Sequence, residues 1–348
     1  MRRLFHSHSP LRIFFISGSI TLILLGGVWA QLGFVAFMTA VILTVVELTF
    51  SFDNAIINAR VLQRMSPFWQ QMFMTIGILI AVFGMRIVFP IAMVMLAAGL
   101  GWSEVINLAL NDPHKYADIL NDSHPSMASF GGMFLLMLGL TFFFDHNRKV
   151  FWLRAVEKPL QKVGRWWMAT AVSFLVIISL TLHPSNEHPQ QTITAGLFGI
   201  VTYIIIHGLA DLLARRQEKQ FEHGAAVVQT GLAGFMSFMY LEVLDASFSL
   251  DGVIGAFAIT QNVILIAIGL GIGALWVRSL TLFMVRRRTL SKYRYLDHGA
   301  HYTIAMLAAF LLSGLFIHLP EFVPGLAGIT IIGLAIASSI RSKKKSTI

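Results

Sequence analysis

Apolar residues fall in long blocks along this chain, with polar residues gathered between them. Several blocks exceed the roughly 18 residues that a bilayer-spanning helix requires. Blocks at residues 11–30, 33–60, 70–97, 129–145, 166–182, 193–213, 225–257, 262–285, 300–318 and 325–340 predict about ten transmembrane helices. The fold class expected is all-α, a polytopic helical membrane bundle forming a single integral membrane domain over residues 1–348.

Charge between the blocks alternates. Arg60 and Arg64 fall in one link; the next holds Glu104, Asp112, Asp118 and Asp122 against Lys115. Arg148, Lys149, Arg154, Lys158, Lys162 and Arg165 follow, then a link at 183–192 without Lys or Arg. Arg215, Arg216 and Lys219 precede the neutral Thr260-Gln261-Asn262 turn. Arg286, Arg287, Arg288, Lys292 and Arg294 precede Pro320-Glu321, and the tail carries Arg341, Lys343, Lys344 and Lys345. Basic links mark the cytoplasmic side, so both termini are expected in the cytoplasm. The first block is read as an uncleaved helix, with a cleaved signal peptide ending at Val28-Trp29-Ala30 as the alternative.

Composition agrees with this picture and narrows it. The chain is 56% hydrophobic and 12% charged, with mean hydropathy +0.73. The net charge of +9 reads as cytoplasmic-loop charge and not as nucleic-acid binding. Without cysteine, the chain has no disulfides, thiolate zinc sites or iron–sulfur clusters. No Gly-x-x-x-x-Gly-Lys-Ser/Thr loop is present to bind ATP.

Against this background one stretch is costly. Glu47, Ser51, Asp53 and Asn54 interrupt the apolar run at 32–62. An echo follows at Asp245, Ser249, Asp251 and Gly252, where Phe248-Ser249-Leu250-Asp251 repeats Phe50-Ser51-Phe52-Asp53. Acids inside spanning segments are kept mainly where they face partners, water or an ion. Each acidic helix is followed by a Gly-rich helix with one arginine, Gly77 to Arg86 and Gly269 to Arg278, at equal spacing. The loop parity makes the two units, 33–97 and 225–285, antiparallel. That is the inverted-repeat pattern of transporters with a site near the midplane.

On an ideal helix Glu47, Ser51 and Asn54 share one stripe, with Asp53 about 120° away from Glu47. Bringing all the acids to one ion requires a kink near residues 51–54 and another near 249–252, where Gly252 would ease it. Glu242 sits one turn before Asp245 and adds a carboxylate. The bland reading is that these acids pair with Arg86 and Arg278 and bind helices together. Glu47, Asp53, Glu242, Asp245 and Asp251 outnumber the arginines, however, and Arg278 lies near enough the cytoplasmic end to snorkel. Surplus buried charge needs a cation or protons. The donors are all oxygens, which suit Mg²⁺, Ca²⁺ and Mn²⁺.

Other polar groups offer less. His207 and Asp211 read as a structural pair or a relay, and Asp145-His146 as interfacial. His6/His8 and His183/His188 are too sparse for metal sites.

The pattern Glu47-x-x-x-Ser51-x-Asp53-Asn54, its echo Asp245-x-x-x-Ser249-x-Asp251-Gly252, and the Gly…Arg helices resemble the TerC family of integral membrane proteins. The likeness points to its TerC-like branch of unknown function, in the wider LysE-like transporter group. This resemblance implies export of manganese, with Glu47, Asp53, Asn54, Asp245 and Asp251 as site positions. Glu242 rests on the charge argument alone, and Gly252 stands where a symmetrical pattern would place a second Asn. No cofactor and no enzyme activity are expected; the partners are a divalent metal ion and the lipid bilayer. The alternatives are a LysE-like exporter of another small solute, an intramembrane aspartyl protease using Asp53 and Asp251 as a dyad, and a non-transporting scaffold.

Overall fold

The computed structural model describes residues 10–165, 167–220, 228–260, 262–287, 292–317 and 322–345. Its helices in chain order are α1 (Pro10–Phe50), α2 (Phe52–Leu62), α3 (Pro67–Leu79), a π-helical segment (Ile80–Val88), α4 (Phe89–Ala98), α5 (Trp102–Asn111) and α6 (Pro113–Asp122). There follow α7 (His124–Phe143), α8 (Arg154–Val163), α9 (Met168–Thr181), α10 (Pro189–Gln220), α11 (Gly231–Ile259), α12 (Val263–Arg286), α13 (Leu296–Ser313) and α14 (Phe322–Lys345). By length and composition, six of the described helices can cross a membrane, or up to seven if α8 and α9 form one bent span. The chain is a multi-pass helical membrane protein.

Two compact units share the described residues. The first draws on Met1–Ala59, Gln70–His124 and Phe248–Thr289. Its centre is α12, whose residues are buried along most of its length. Helix α1 packs on α12 twice, because it reverses at Gly33, whose φ of 83° is in the left-handed region that glycine enters without a Cβ penalty. Before Gly33, Ser17 bonds Leu275 and Ser279, and Val28 packs on Leu265. After it, Ala40 returns to Leu265, the Thr44 hydroxyl donates to the Gly269 carbonyl at 3.1 Å, and Glu47 lies against Gly273. Ser17 and Glu47 therefore sit at nearly the same level of α12, although a straight helix would hold them about 45 Å apart. The first arm runs antiparallel to α12 and the second parallel to it. Outward faces of both arms are apolar, with Leu22 77% and Val35 79% exposed, as lipid-facing positions require.

The span at 70–97 is continuous from Pro67 to Met95 but widens into π-helix at its middle. Pro90, just beyond, cannot donate and crowds the carbonyl of Arg86 four residues before it. The acidic link, to which the sequence pattern assigned no secondary structure, forms two short helices. The Gly101 N–H donates to Glu104 Oε2 at 2.8 Å at the start of α5, and the Lys115 N–H to Asp112 Oδ1 at 3.3 Å at the start of α6. Burial raises the Tyr116 phenol above its ordinary pKa.

The second unit draws on Arg60–Trp69, Pro125–Ser247 and Leu290–Ile348. Helix α7 is its core, lined by small residues that let neighbours approach. A Cβ on Gly132 would meet Leu312 of α13 at 2.7 Å, and one on Gly199 of α10 would meet the Phe130 carbonyl at 2.3 Å. At the end of α2, Arg60 pairs with Asp297 at 2.8 Å and lies 3.3 Å from His301 Nε2. The basic link between α7 and α9 also contains a helix, α8. Its Glu157 is fully buried and accepts from the Trp152 and Leu153 N–H groups at 3.2 and 3.0 Å. Burial lowers the pKa of Arg148 from its ordinary value, and the adjacent Glu157 carboxylate opposes that shift.

Candidate functional site

The second arm of α1 carries Glu47 into the interior of the first unit, where it is 2% exposed. Its Oε1 accepts from the Ser51 hydroxyl at 2.9 Å, as expected of residues four apart on one face. The same oxygen accepts from Arg86 Nη2 in a buried salt bridge, and Arg86 Nη1 donates to the Ala81 carbonyl five residues before it. The π turn places that carbonyl within reach, and such turns often accompany functional positions. For Glu47, then, the bland reading holds: its charge is matched by Arg86.

Two glycines make room for Glu47. A Cβ on Gly273 would stand 2.5 Å from its Cβ and Cγ and 3.1 Å from the Thr44 carbonyl. A Cβ on Gly252 would stand 3.1 Å from its Oε2. Gly252 and Gly273 both touch Glu47, so α12 folds back alongside the end of α11. The end of α11 consequently runs antiparallel to the second arm of α1. The two acidic stretches of the sequence meet where Glu47 faces Gly252.

The expected kinks divide. The helix is interrupted at Ser51, between α1 and α2, although the Ser51 N–H still donates to the Glu47 carbonyl at 2.9 Å and the Ala55 N–H to the Ser51 carbonyl at 3.2 Å. Helix α11 instead passes unbroken through residues 249–252. Gly252 serves close approach to Glu47 and not bending, which corrects the expectation of a second kink.

Arg278 also departs from expectation. It does not snorkel: it is 2% exposed, its Nη1 donates to the Phe73 carbonyl at 3.2 Å, and its guanidinium lies 3.8 Å from the centre of the Phe73 ring. An aromatic face and a carbonyl one helix away outcompete the distant interface.

Asn54 is buried at 1% in the first unit, and Glu242 and Asp245 are buried at 3% and 6% in the second. The side chains of Asp53, Ser249 and Asp251 lie outside the described residues. Their backbones fall in the first turn of α2 and within α11. Among the described residues no three His, Asp or Glu gather as a metal site.

Sequence reasoning missed Asn58. It is 1% exposed, and neither atom of its amide has a hydrogen-bond partner. Its signal was available: it lies four residues after Asn54 and extends the stripe of Glu47, Ser51 and Asn54. Buried amides are nearly always bonded, so a doubly orphaned one is a candidate contact for water or an ion. His207 is packed between aromatics, stacked on Tyr203 at 4.9 Å and 5.6 Å from Tyr240.

Residues 52–346 match the family model described as "Protein of unknown function (DUF475)", which covers most of the chain. The chain belongs to that family. No curated protein and no solved structure matches it. The DUF475 match takes in Asp53, Asn54, Glu242, Asp245, Asp251 and both arginines, and begins just after Ser51. Its description carries no activity and names neither TerC nor LysE proteins.

Proposed function

We propose that this chain is a membrane transporter that exports a divalent cation, Mn²⁺ first among Mn²⁺, Mg²⁺ and Ca²⁺, from the bacterial cytoplasm across the inner membrane. The observation that carries the reading is the meeting of the two acidic stretches at Glu47 and Gly252, beside a buried polar stripe that ends in the orphaned amide of Asn58. The antiparallel passage of these stretches supports an inverted repeat within a bundle of about ten spans, both termini being cytoplasmic.

In this mechanism Glu47 exchanges partners. Arg86 holds the carboxylate by default, and a cation bound with the help of Asp53, Asn54 and Asp251 competes with the guanidinium for it. Glu242 and Asp245, earlier on the helix that bears Asp251, supply further negative charge for the ion's passage. Ser51 and Ser249 orient the carboxylates, while Arg278 braces α12 on Phe73. Protons returning on the same acids balance the exported charge. The chain carries out no covalent chemistry in this scheme.

Calorimetric titration of purified protein with Mn²⁺ tests the reading. Saturable binding is expected, abolished by Asp53→Asn and by Asp251→Asn in protein that still folds. Unchanged binding in both variants would refute the site.

A further inference from the structure

The ten-residue helix α8 lies outside the transport scheme, and its three faces differ in character. Arg154, Lys158 and Lys162 recur every fourth residue and form one exposed basic stripe, extended by exposed Lys149 and Arg165 at either end. Val156 and Val163, seven residues apart and so in line, form an exposed apolar face at 47% and 59% exposure. Leu153 and Trp167, also exposed, continue that face at the two ends.

The third face fastens the helix to its unit. Glu157 is fully buried within 3.5 Å of Arg148 and 3.4 Å of His298, and Gln161 Nε2 donates to the carbonyls of Asp145, His146 and Arg148 at 3.2, 3.1 and 2.9 Å. Because Glu157 is turned inward, no carboxylate on α8 offsets the exposed basic stripe. The chain then bends by 101° into the apolar helix α9. With α9 set across the bilayer, that bend turns α8 toward the membrane plane.

We propose that α8 is an interfacial helix that binds anionic lipid headgroups. Val156 and Val163 enter the acyl boundary of the leaflet, and Arg154, Lys158 and Lys162 engage lipid phosphates beside it. A short helix with one basic and one apolar face and little net hydrophobicity is the type that lies in the interface and does not cross it. The basic side chains set the preference for anionic over zwitterionic lipid, because each contributes its own attraction to a negative surface. Clamped through Glu157 and Gln161, the helix anchors the second unit to the bilayer surface.

The full chain, which has no native cysteine, allows a direct test. Val163→Cys and Lys158→Cys are each labelled with bimane and reconstituted in vesicles of phosphatidylglycerol and phosphatidylcholine. Bromine on the acyl chains is expected to quench the label at 163 strongly and the label at 158 weakly. Separately, the affinity for phosphatidylglycerol is measured for the wild type and for R154Q/K158Q/K162Q. It should fall roughly fivefold per charge, on the order of a hundredfold in the triple variant. The proposal is overturned if aqueous iodide rather than brominated lipid quenches the label at 163. It is equally overturned if the triple variant, eluting as the wild type does, holds phosphatidylglycerol as tightly.

Discussion

Replacing Gly273 by alanine probes the site without touching a polar group. The new methyl would stand 2.5 Å from the Cβ and Cγ of Glu47, where carbon–carbon contacts are comfortable at about 3.5–4.0 Å. About 1 Å of overlap must be relieved. Glu47 cannot retreat freely, because Ser51 and Arg86 both hold Oε1, and the Thr44 carbonyl, 3.1 Å from the same methyl, blocks a simple slide of α12. If the helices part and the pair survives, the cost is that of overpacking, about 1–3 kcal/mol. If the carboxylate is expelled, Arg86 is left buried and uncompensated, at about 3–5 kcal/mol. The assay is thermal unfolding in detergent followed by tryptophan fluorescence, paired with Mn²⁺ binding to the same preparation. Gly271→Ala is the control, because its methyl meets the Val82 side chain at 3.2 Å and lies away from Glu47. The expectation is a clear loss of stability and of binding for Gly273→Ala, with Gly271→Ala close to wild type. Equal behaviour of the two variants would refute the claim that Glu47 is wedged in place against α12.

Arg86→Gln should destabilise the protein by about 3–5 kcal/mol, whereas the double variant Glu47→Gln/Arg86→Gln should recover most of that loss in the same unfolding assay. A double variant as unstable as the single would show that the pair is not a unit. Asn58→Leu removes an amide that bonds nothing, so stability should hold or rise while Mn²⁺ binding weakens; a loss of stability with unchanged binding would make Asn58 a packing residue. Arg278→Lys should cost about 1–2 kcal/mol, because a point ammonium cannot both lie on the Phe73 ring and reach its carbonyl. Thermal unfolding indistinguishable from wild type would contradict that geometry.

The membrane class was legible because apolar blocks of this length suit little besides a bilayer span, and the faces of Glu47 and Ser51 followed from helical spacing alone. The reversal was implicit in the break at residues 31–32 between the first two blocks, and Gly33 beside it supplies the left-handed turn. Short helices in the links escaped notice because capping at Gly101, Glu104 and Asp112 stabilises them locally, below the scale of hydropathy. The π turn before Pro90 has no periodic signature. The role of Gly252 was misread because a glycine in a helix suits a bend and a close contact equally, and only the position of Glu47 decides between them. Asn58 was overlooked because an amide carries no charge, and charge was what made the neighbouring acids conspicuous.

Transport as proposed requires that these acids bind and pass a divalent cation. Manganese flux into proteoliposomes, followed with an enclosed Mn²⁺-sensitive dye, addresses that requirement most directly. Wild-type vesicles should load Mn²⁺ well above protein-free vesicles and alkalinise inside in step, as protons leave in exchange, and Asp251→Asn vesicles should match the protein-free rate. Folded wild-type protein that moves Mn²⁺, Mg²⁺ and Ca²⁺ no faster than empty lipid would contradict it.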